Sequence, residues 1–213
     1  MSRAGEIFTI AAENPPVPGC TVSAKLTDEI YHFALAAGTD ISAELYPYPK
    51  LIVMADGEME VCTASGERRN MKAKDCIVTP CGIPVGMRSE TGAVYTEICL
   101  RRNTDMNEII KAGEVFKLSD LLPYQDGRIV NMDLINEPKL KFVLMSFAGG
   151  TGLSEHAAPG EALIFALDGE GIIGYEGKEY PIKAGENFKF AKGGMHSVKA
   201  AGNFKMALLL TLN

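Results

Sequence analysis

No stretch of this chain stays apolar for the roughly 18 residues that a membrane-crossing helix requires. Its start, MSRAGEIFTIAAENPPVPG, carries no apolar run of signal-peptide length. The sequence therefore reads as that of a cytoplasmic protein with no membrane partner. Clusters of Lys and Arg are missing as well. With a net charge of −6 and a pI near 5.2, nucleic acid and anionic surfaces are poor partners, and no helix-turn-helix pattern is present. The five cysteines, Cys20, Cys62, Cys76, Cys81 and Cys99, are odd in number, confined to the first half and without a C-x-x-C pair. That pattern excludes a disulfide framework and a cysteine zinc site, and it predicts buried thiols acting as small hydrophobes. Histidine is scarce too: His32, His156 and His196 are the whole supply.

What is present is turn-forming residue in quantity. Twenty-two glycines and eleven prolines are spread along the 213 residues rather than clustered. They cut the apolar sequence into short segments of strand length, such as Ile30–Ala36, Leu51–Ala55 and Ala162–Leu167. Asp56-Gly57 and Asp168-Gly169, each between apolar runs, predict tight hairpin turns. Only RRNTDMNEIIK (101–111) reads as helical, and as a linker.

The sequence also repeats itself. Ala4-Gly5-Glu6-Ile7-Phe8 returns as Ala112-Gly113-Glu114-Val115-Phe116, Gly38-Thr39 as Gly150-Thr151, LIVMADGE (51–58) as LIFALDGE (163–170), and MKAKD (71–75) as IKAGE (182–186). An ordered series of this kind implies duplication. The expected domains are 1–100 and 112–213, joined by 101–111. Many short strands with regular turn signals point to an all-β barrel or sandwich in each copy.

The histidines fall where chemistry would need them. His156 stands in G-L-S-E-H-A-A-P-G-E-A, with Glu161 after the Pro159-Gly160 break, and His196 ends G-E-N-F-K-F-A-K-G-G-M-H. On one unbroken strand residues 156 and 161 would face opposite sides, so the break is needed to bring both into one interior. These segments resemble the two motifs of the cupin superfamily. The first is met by Gly150, Ser154-Glu155-His156, Glu161 and Asp168-Gly169; the second is met by Gly185, Ala191-Lys192-Gly193 and His196. The resemblance implies two tandem double-stranded β-helix (jelly-roll) barrels, a bicupin, with His156, Glu161 and His196 as metal ligands. Ser154 replaces the first histidine of the motif and is left to orient substrate or water.

Two imidazoles and a carboxylate suit Zn, Ni, Mn, Co or Fe and leave positions open for water or substrate. The resemblance implies a metal-dependent isomerase, lyase or dioxygenase of the cupin type, acting on or binding a small polar metabolite of the sugar-acid or keto-acid type. Against it, the chain offers no further histidine as a general base. The alternative is a metal-free module that binds or senses a carbohydrate-like small molecule.

In the first copy the corresponding residues are Ser42, Glu44, Pro49 and Val85, although Pro80 and Gly82 keep the turn. That copy is expected to be structural or a metal-free pocket. His32, which corresponds to Leu144, is expected to be a satisfied core or face histidine, and Glu155 a solvated carboxylate. Tyr46 and Tyr48 are expected at an interface or a ligand, and apolar strand faces suggest a homodimer.

Overall fold

The computed structural model of the chain describes residues 3–101 and 107–212. The first repeat contributes β1 (Ile7–Phe8), the short helix α1 (Ile10–Glu13), β2 (Thr21–Lys25), β3 (Ile30–Leu35), β4 (Thr39–Glu44), β5 (Lys50–Thr63), β6 (Arg68–Lys72), β7 (Asp75–Val78), β8 (Val85–Ser89) and β9 (Ala93–Cys99). The second contributes β10 (Val115–Lys117), the single 3-10 turn Leu118–Asp120, β11 (Ile129–Asn136), β12 (Leu140–Phe147), β13 (Gly152–Ala157), β14 (Glu161–Tyr175), β15 (Lys178–Lys183), β16 (Asn187–Phe190), β17 (Met195–Lys199) and β18 (Phe204–Thr211). The fold is all-β, in two barrel-like units. No helix among the described residues is long and apolar enough to cross a membrane.

In the N-terminal barrel one sheet runs β10-β7-β5-β9-β3-β2, and a second is formed by β4, β8 and β6 with the far half of β5. The C-terminal barrel repeats this as β1-β16-β14-β18-β12-β11, with β13, β17 and β15 along the far half of β14. One long strand thus serves both sheets of its barrel. The bend that permits this lies at Asp56-Gly57 and Asp168-Gly169, where the register slips between Met54 and Asp56 and between Ala166 and Asp168. The expected hairpins are therefore β-bulges inside continuous strands. Gly57 has φ +73°, and a Cβ there would lie 2.1 Å from the carbonyl oxygen of Gly92, so positive φ and close approach both demand glycine. The tight turns come later, at Ser65-Gly66 and at Glu176-Gly177, where Tyr175 faces Lys178 across two residues.

The repeated A-G-E-[IV]-F segments cross over. Ile7 and Phe8 pair with Phe188 and Asn187 of the C-terminal barrel, while Val115 and Phe116 pair with Ile77 and Cys76 of the N-terminal barrel. One compact unit accordingly joins the N-terminal segment ending at Thr9 to the second repeat, and the other joins Glu108–Lys117 to the first. A single cut at 101–111 does not divide the chain this way. Of that segment, residues 102–106 lie outside the described residues, and the described remainder contains no helix.

Alternation along each strand sorts the interior. Leu35, Ile52, Met54, Ile77 and Tyr95 from one sheet meet Met59, Val61, Met71, Val85 and Met87 from the other. The second barrel does the same with Phe147, Ile164, Phe188, Phe204 and Met206 against Ile173, Tyr175, Ile182 and Val198. Full burial of side chains this size stabilises by about 1.5–3 kcal/mol each, which is what holds two such small sheets face to face. All five cysteines are free; Cys76 and Cys99 are buried, whereas Cys20 and Cys81 are exposed, contrary to the expectation that all act as core hydrophobes.

Candidate functional site

In the C-terminal barrel, β13 and β17 run antiparallel with His156 directly opposite His196. The ring centroids are 4.1 Å apart with planes inclined at 52°. His196 is 5% exposed and lies against the Phe190 ring, 4.2 Å between centroids, whereas His156 is exposed. Burial lowers the His196 pKa from its ordinary value, with the Gly194 carbonyl acting in the opposite sense and His156 adding to the lowering. Each Nδ1 faces a backbone carbonyl two residues back: Ser154 at 2.9 Å for His156, and Gly194 at 3.2 Å for His196. A carbonyl only accepts, so in the neutral ring the proton sits on Nδ1 and Nε2 keeps its lone pair. The pair thus presents two nitrogen donors. Ser154 serves it through its main chain.

Glu161 does not join them. Its carboxylate lies 3.5 Å from Lys189 Nζ with the side chain 59% exposed. The turn at Pro159-Gly160 does return the chain, but Glu161 is already the first residue of β14 and obeys that strand's alternation. Ala162, Ile164 and Ala166 point into the barrel core, so the residue before them leaves on the other face. Among the described residues no group of three or more His, Cys, Asp and Glu is gathered to hold a metal ion. As a three-ligand set these residues do not fit a metal; two imidazoles do come together.

The other barrel holds what the sequence reading passed over. Between its sheets lies a cavity of about 400 Å³, lined by Tyr31, Phe33, Tyr46, Lys50, Tyr95 and Glu97 among others. Lys50 Nζ is 3.0 Å from Glu97 Oε1, with the two side chains 11% and 6% exposed. The ammonium also stands 3.5 Å from the centre of the Tyr46 ring, while the Tyr46 hydroxyl donates to Glu44. The Cys99 thiol donates to Glu97 at 3.6 Å. Phe33 and Tyr95 stack at 5.3 Å with a 12° interplanar angle. The Tyr95 hydroxyl is buried and has no hydrogen-bond partner. Burial, then the Glu97 charge, raises the Tyr95 pKa well above a normal phenol and pushes Cys99 up to about 11. Tyr46 and Tyr48 accordingly line this cavity.

A signal for this site was in the sequence. Glu97 interrupts the apolar strand AVYTEIC, and Lys50 has the same parity as Ile52 and Met54, which places a charge on an inward face. His32 is satisfied, as expected of a core or face histidine: it is buried and bonded to Thr96 Oγ1 at 3.0 Å, and burial lowers its pKa to about 4.

Residues 143–212 match the Cupin_2 family, described as a cupin domain. A cupin 2 conserved barrel domain protein from Leptotrichia buccalis aligns over 99% of this chain and 98% of its own at 24% identity, with a TM-score of 0.81. Salicylate 1,2-dioxygenase from Pseudaminobacter salicylatoxidans aligns over 97% of this chain and 84% of its own at 10% identity, with a TM-score of 0.64. At these identities the likeness is one of fold. No curated protein matches the chain. The family match thus identifies a cupin domain at residues 143–212, and the full-length likeness shows that the whole chain shares the barrel fold of these structures.

Proposed function

We propose that this cupin binds a small organic molecule, without a metal ion, inside its N-terminal barrel. The observation that carries the reading is the buried Lys50–Glu97 pair, set on the wall of a cavity beside the Tyr46 ring and the stacked Phe33 and Tyr95 rings. The cavity, about 400 Å³, is within the roughly 300–1,000 Å³ range of small-molecule sites. Its walls are aromatic and aliphatic with a few convergent polar groups, the composition of a binding pocket.

A metal-dependent reaction in the C-terminal barrel has less support, because Glu161 pairs with Lys189 and the neighbouring inward residue is Ala162. The likeness to a dioxygenase is one of fold and carries no activity to this chain. The test is a melting-temperature screen of sugar acids, keto acids and small ring compounds, with and without EDTA. A shift that survives EDTA and vanishes in the double variant Lys50→Ala with Glu97→Leu supports the reading. A shift that EDTA abolishes, or that depends instead on His156 and His196, overturns it.

One observation favours a second reading. Two facing imidazoles with both Nε2 lone pairs free suit a divalent ion, Zn, Ni, Mn, Co or Fe, held by His156 and His196 with water completing its shell. Plasma mass spectrometry on protein purified without an affinity-metal step decides this. Near-stoichiometric metal in wild type, lost in His156→Ala and in His196→Ala, supports the ion; wild type that stays metal-free after incubation with each of these ions excludes it.

A further inference from the structure

Resting on that binding reading, we infer that the ligand of the N-terminal barrel is a monocarboxylic acid with an apolar body, its carboxylate held by Arg101 at the rim of the cavity and its body turned inward. The lining is graded along one strand. Tyr95, Glu97 and Cys99 of β9 and Arg101 just beyond it occupy alternate positions and line the same cavity. The main chain stays in the ladder past the end of the strand, with Leu100 N donating to Pro49 O at 3.0 Å. Tyr95, Glu97 and Cys99 are buried and Arg101 is exposed. At roughly 3.3 Å per residue, Arg101 stands about 13 Å along the chain from Glu97, toward solvent.

The charges on this wall are two ammonium or guanidinium groups and two carboxylates, and only one of the four faces neutral neighbours alone. Lys50 is paired with Glu97 at 3.0 Å, and Glu44 accepts from the Tyr46 hydroxyl. Among the described residues Arg101 has no carboxylate within ion-pairing distance. Asp28, whose charge reaches Arg101, is bonded to Lys25 at 2.5 Å. The guanidinium stands 5.4 Å from the centre of the Tyr48 ring and beside the Cys99 thiol, both uncharged at neutral pH. A planar guanidinium laid on an aromatic face keeps its N–H edge for a carboxylate. One open cation matches one negative charge; a phosphate ester would bring a second charge with no cation left for it. A ligand ammonium at Glu44 would displace the Tyr46 hydroxyl and come close to Lys50, which already stands 3.5 Å from the centre of the Tyr46 ring.

Below the rim the accessible surface is apolar. Tyr31, Phe33 and Ile41 are half-buried and line the cavity with Val85 and Met87. Hydroxyls on the body of a sugar acid would lose water against these side chains without gaining partners. An apolar cavity of about 150 Å³ holds one benzene ring. The roughly 400 Å³ here takes a ring and a short tether that reaches the rim.

Five probes test this on the full chain in EDTA, by calorimetry or ligand-observed NMR: 3-phenylpropanoate, its primary amide, 3-phenylpropylamine, phenyl phosphate and gluconate. 3-Phenylpropanoate is expected to bind most tightly, at least about fivefold ahead of its amide, and to weaken as salt is added while the amide does not. Arg101→Gln is expected to weaken the acid about 5- to 10-fold and to leave the amide unchanged, so that the two bind alike. Because Arg101 is exposed, the variant's melting temperature is not expected to fall. An acid no tighter than its amide, an acid indifferent to Arg101→Gln, or the amine, phosphate or gluconate binding as tightly as 3-phenylpropanoate overturns the inference. Chelator-resistant binding of another compound that needs Lys50 and Glu97, with 3-phenylpropanoate silent, overturns it while leaving the binding reading intact. Silence of these probes and of the whole melting-temperature screen removes both.

Discussion

The two barrels have the same skeleton and different interiors. β5 lies on β9 with Lys50 opposite Cys99, Ile52 opposite Glu97 and Met54 opposite Tyr95; β14 lies on β18 with Ala162 opposite Leu210, Ile164 opposite Leu208 and Ala166 opposite Met206. Glu44 faces Val85 across β4 and β8, where His156 faces His196 across β13 and β17. Backbone register, bulges and even the crossed-over leading strands survive in both copies. The inward polar residues do not. Where the N-terminal barrel has Lys50, Glu97 and Tyr95, the C-terminal barrel has alanine, leucine and methionine; where the latter has two histidines, the former has glutamate and valine. The skeleton is set by hydrogen bonding and apolar parity, which many sequences satisfy. The chemistry resides in a few inward positions that the skeleton leaves free to vary.

Exchanging those positions between barrels tests the comparison. The largest effect is expected from Lys50→Ala, which puts the C-terminal barrel's residue into the N-terminal one and leaves Glu97 buried without its partner. A loss of about 3–5 kcal/mol follows in urea unfolding, and adding Glu97→Leu recovers most of it. A double variant no more stable than the single one would mean that the pair does not act as a unit.

The reverse graft, Ala162→Glu, places a carboxylate on the inward face of β14 beside the histidine pair. The variant is expected to gain about 3–4 kcal/mol of stability when Zn or Ni is supplied at 100 to 1,000 times its Kd. A melting temperature indifferent to metal would show that this face does not reach the imidazoles.

His32 stands where the other barrel has Leu144. Its folded-state pKa is about 4, against 6.5 for a free imidazole, so between these values the unfolded chain takes up a proton that the folded chain refuses. Stability is therefore retained above pH 6.5 and falls as the pH drops toward 4, by roughly 2–3 kcal/mol. Denaturation at pH 7 and pH 4.5 should show a steeper decline in wild type than in His32→Leu; equal slopes would assign the acid sensitivity to other groups.

The smallest effect belongs to Glu161→Ala, which removes an exposed ion pair and is expected to change stability by no more than about 1 kcal/mol and bound metal not at all. A fall in metal content in that variant would return the carboxylate to the histidine pair.

Much of this was legible before any coordinates. The paired segments from Ala4 and Ala112 onward disclose the duplication, and the short apolar runs disclose strands, because periodicity and turn chemistry are local properties of the chain. His156 and His196 were recognisable as partners from their motifs. Asp56-Gly57 and Asp168-Gly169 were read as hairpins because a bulge and a type I′ turn ask the same of glycine; only pairing with β9 and β18 shows that the strand continues. The Pro159-Gly160 break is expected to bring Glu161 inward, yet Glu161 opens β14 and takes the face opposite to Ala162. Lys50 and Glu97 are 47 positions apart in the sequence and 3.0 Å apart in the fold.

By itself, then, the sequence determined the repeat, the strand lengths, the all-β class and the two histidines that meet. Tertiary structure alone decided which strand begins before Glu161 can turn inward, which barrel each leading strand completes, and that a lysine, a glutamate and an unpartnered tyrosine surround one cavity. The physical reason is that alternation fixes a side chain's face only once the strand's first residue and its register are known, and both are settled by long-range hydrogen bonding.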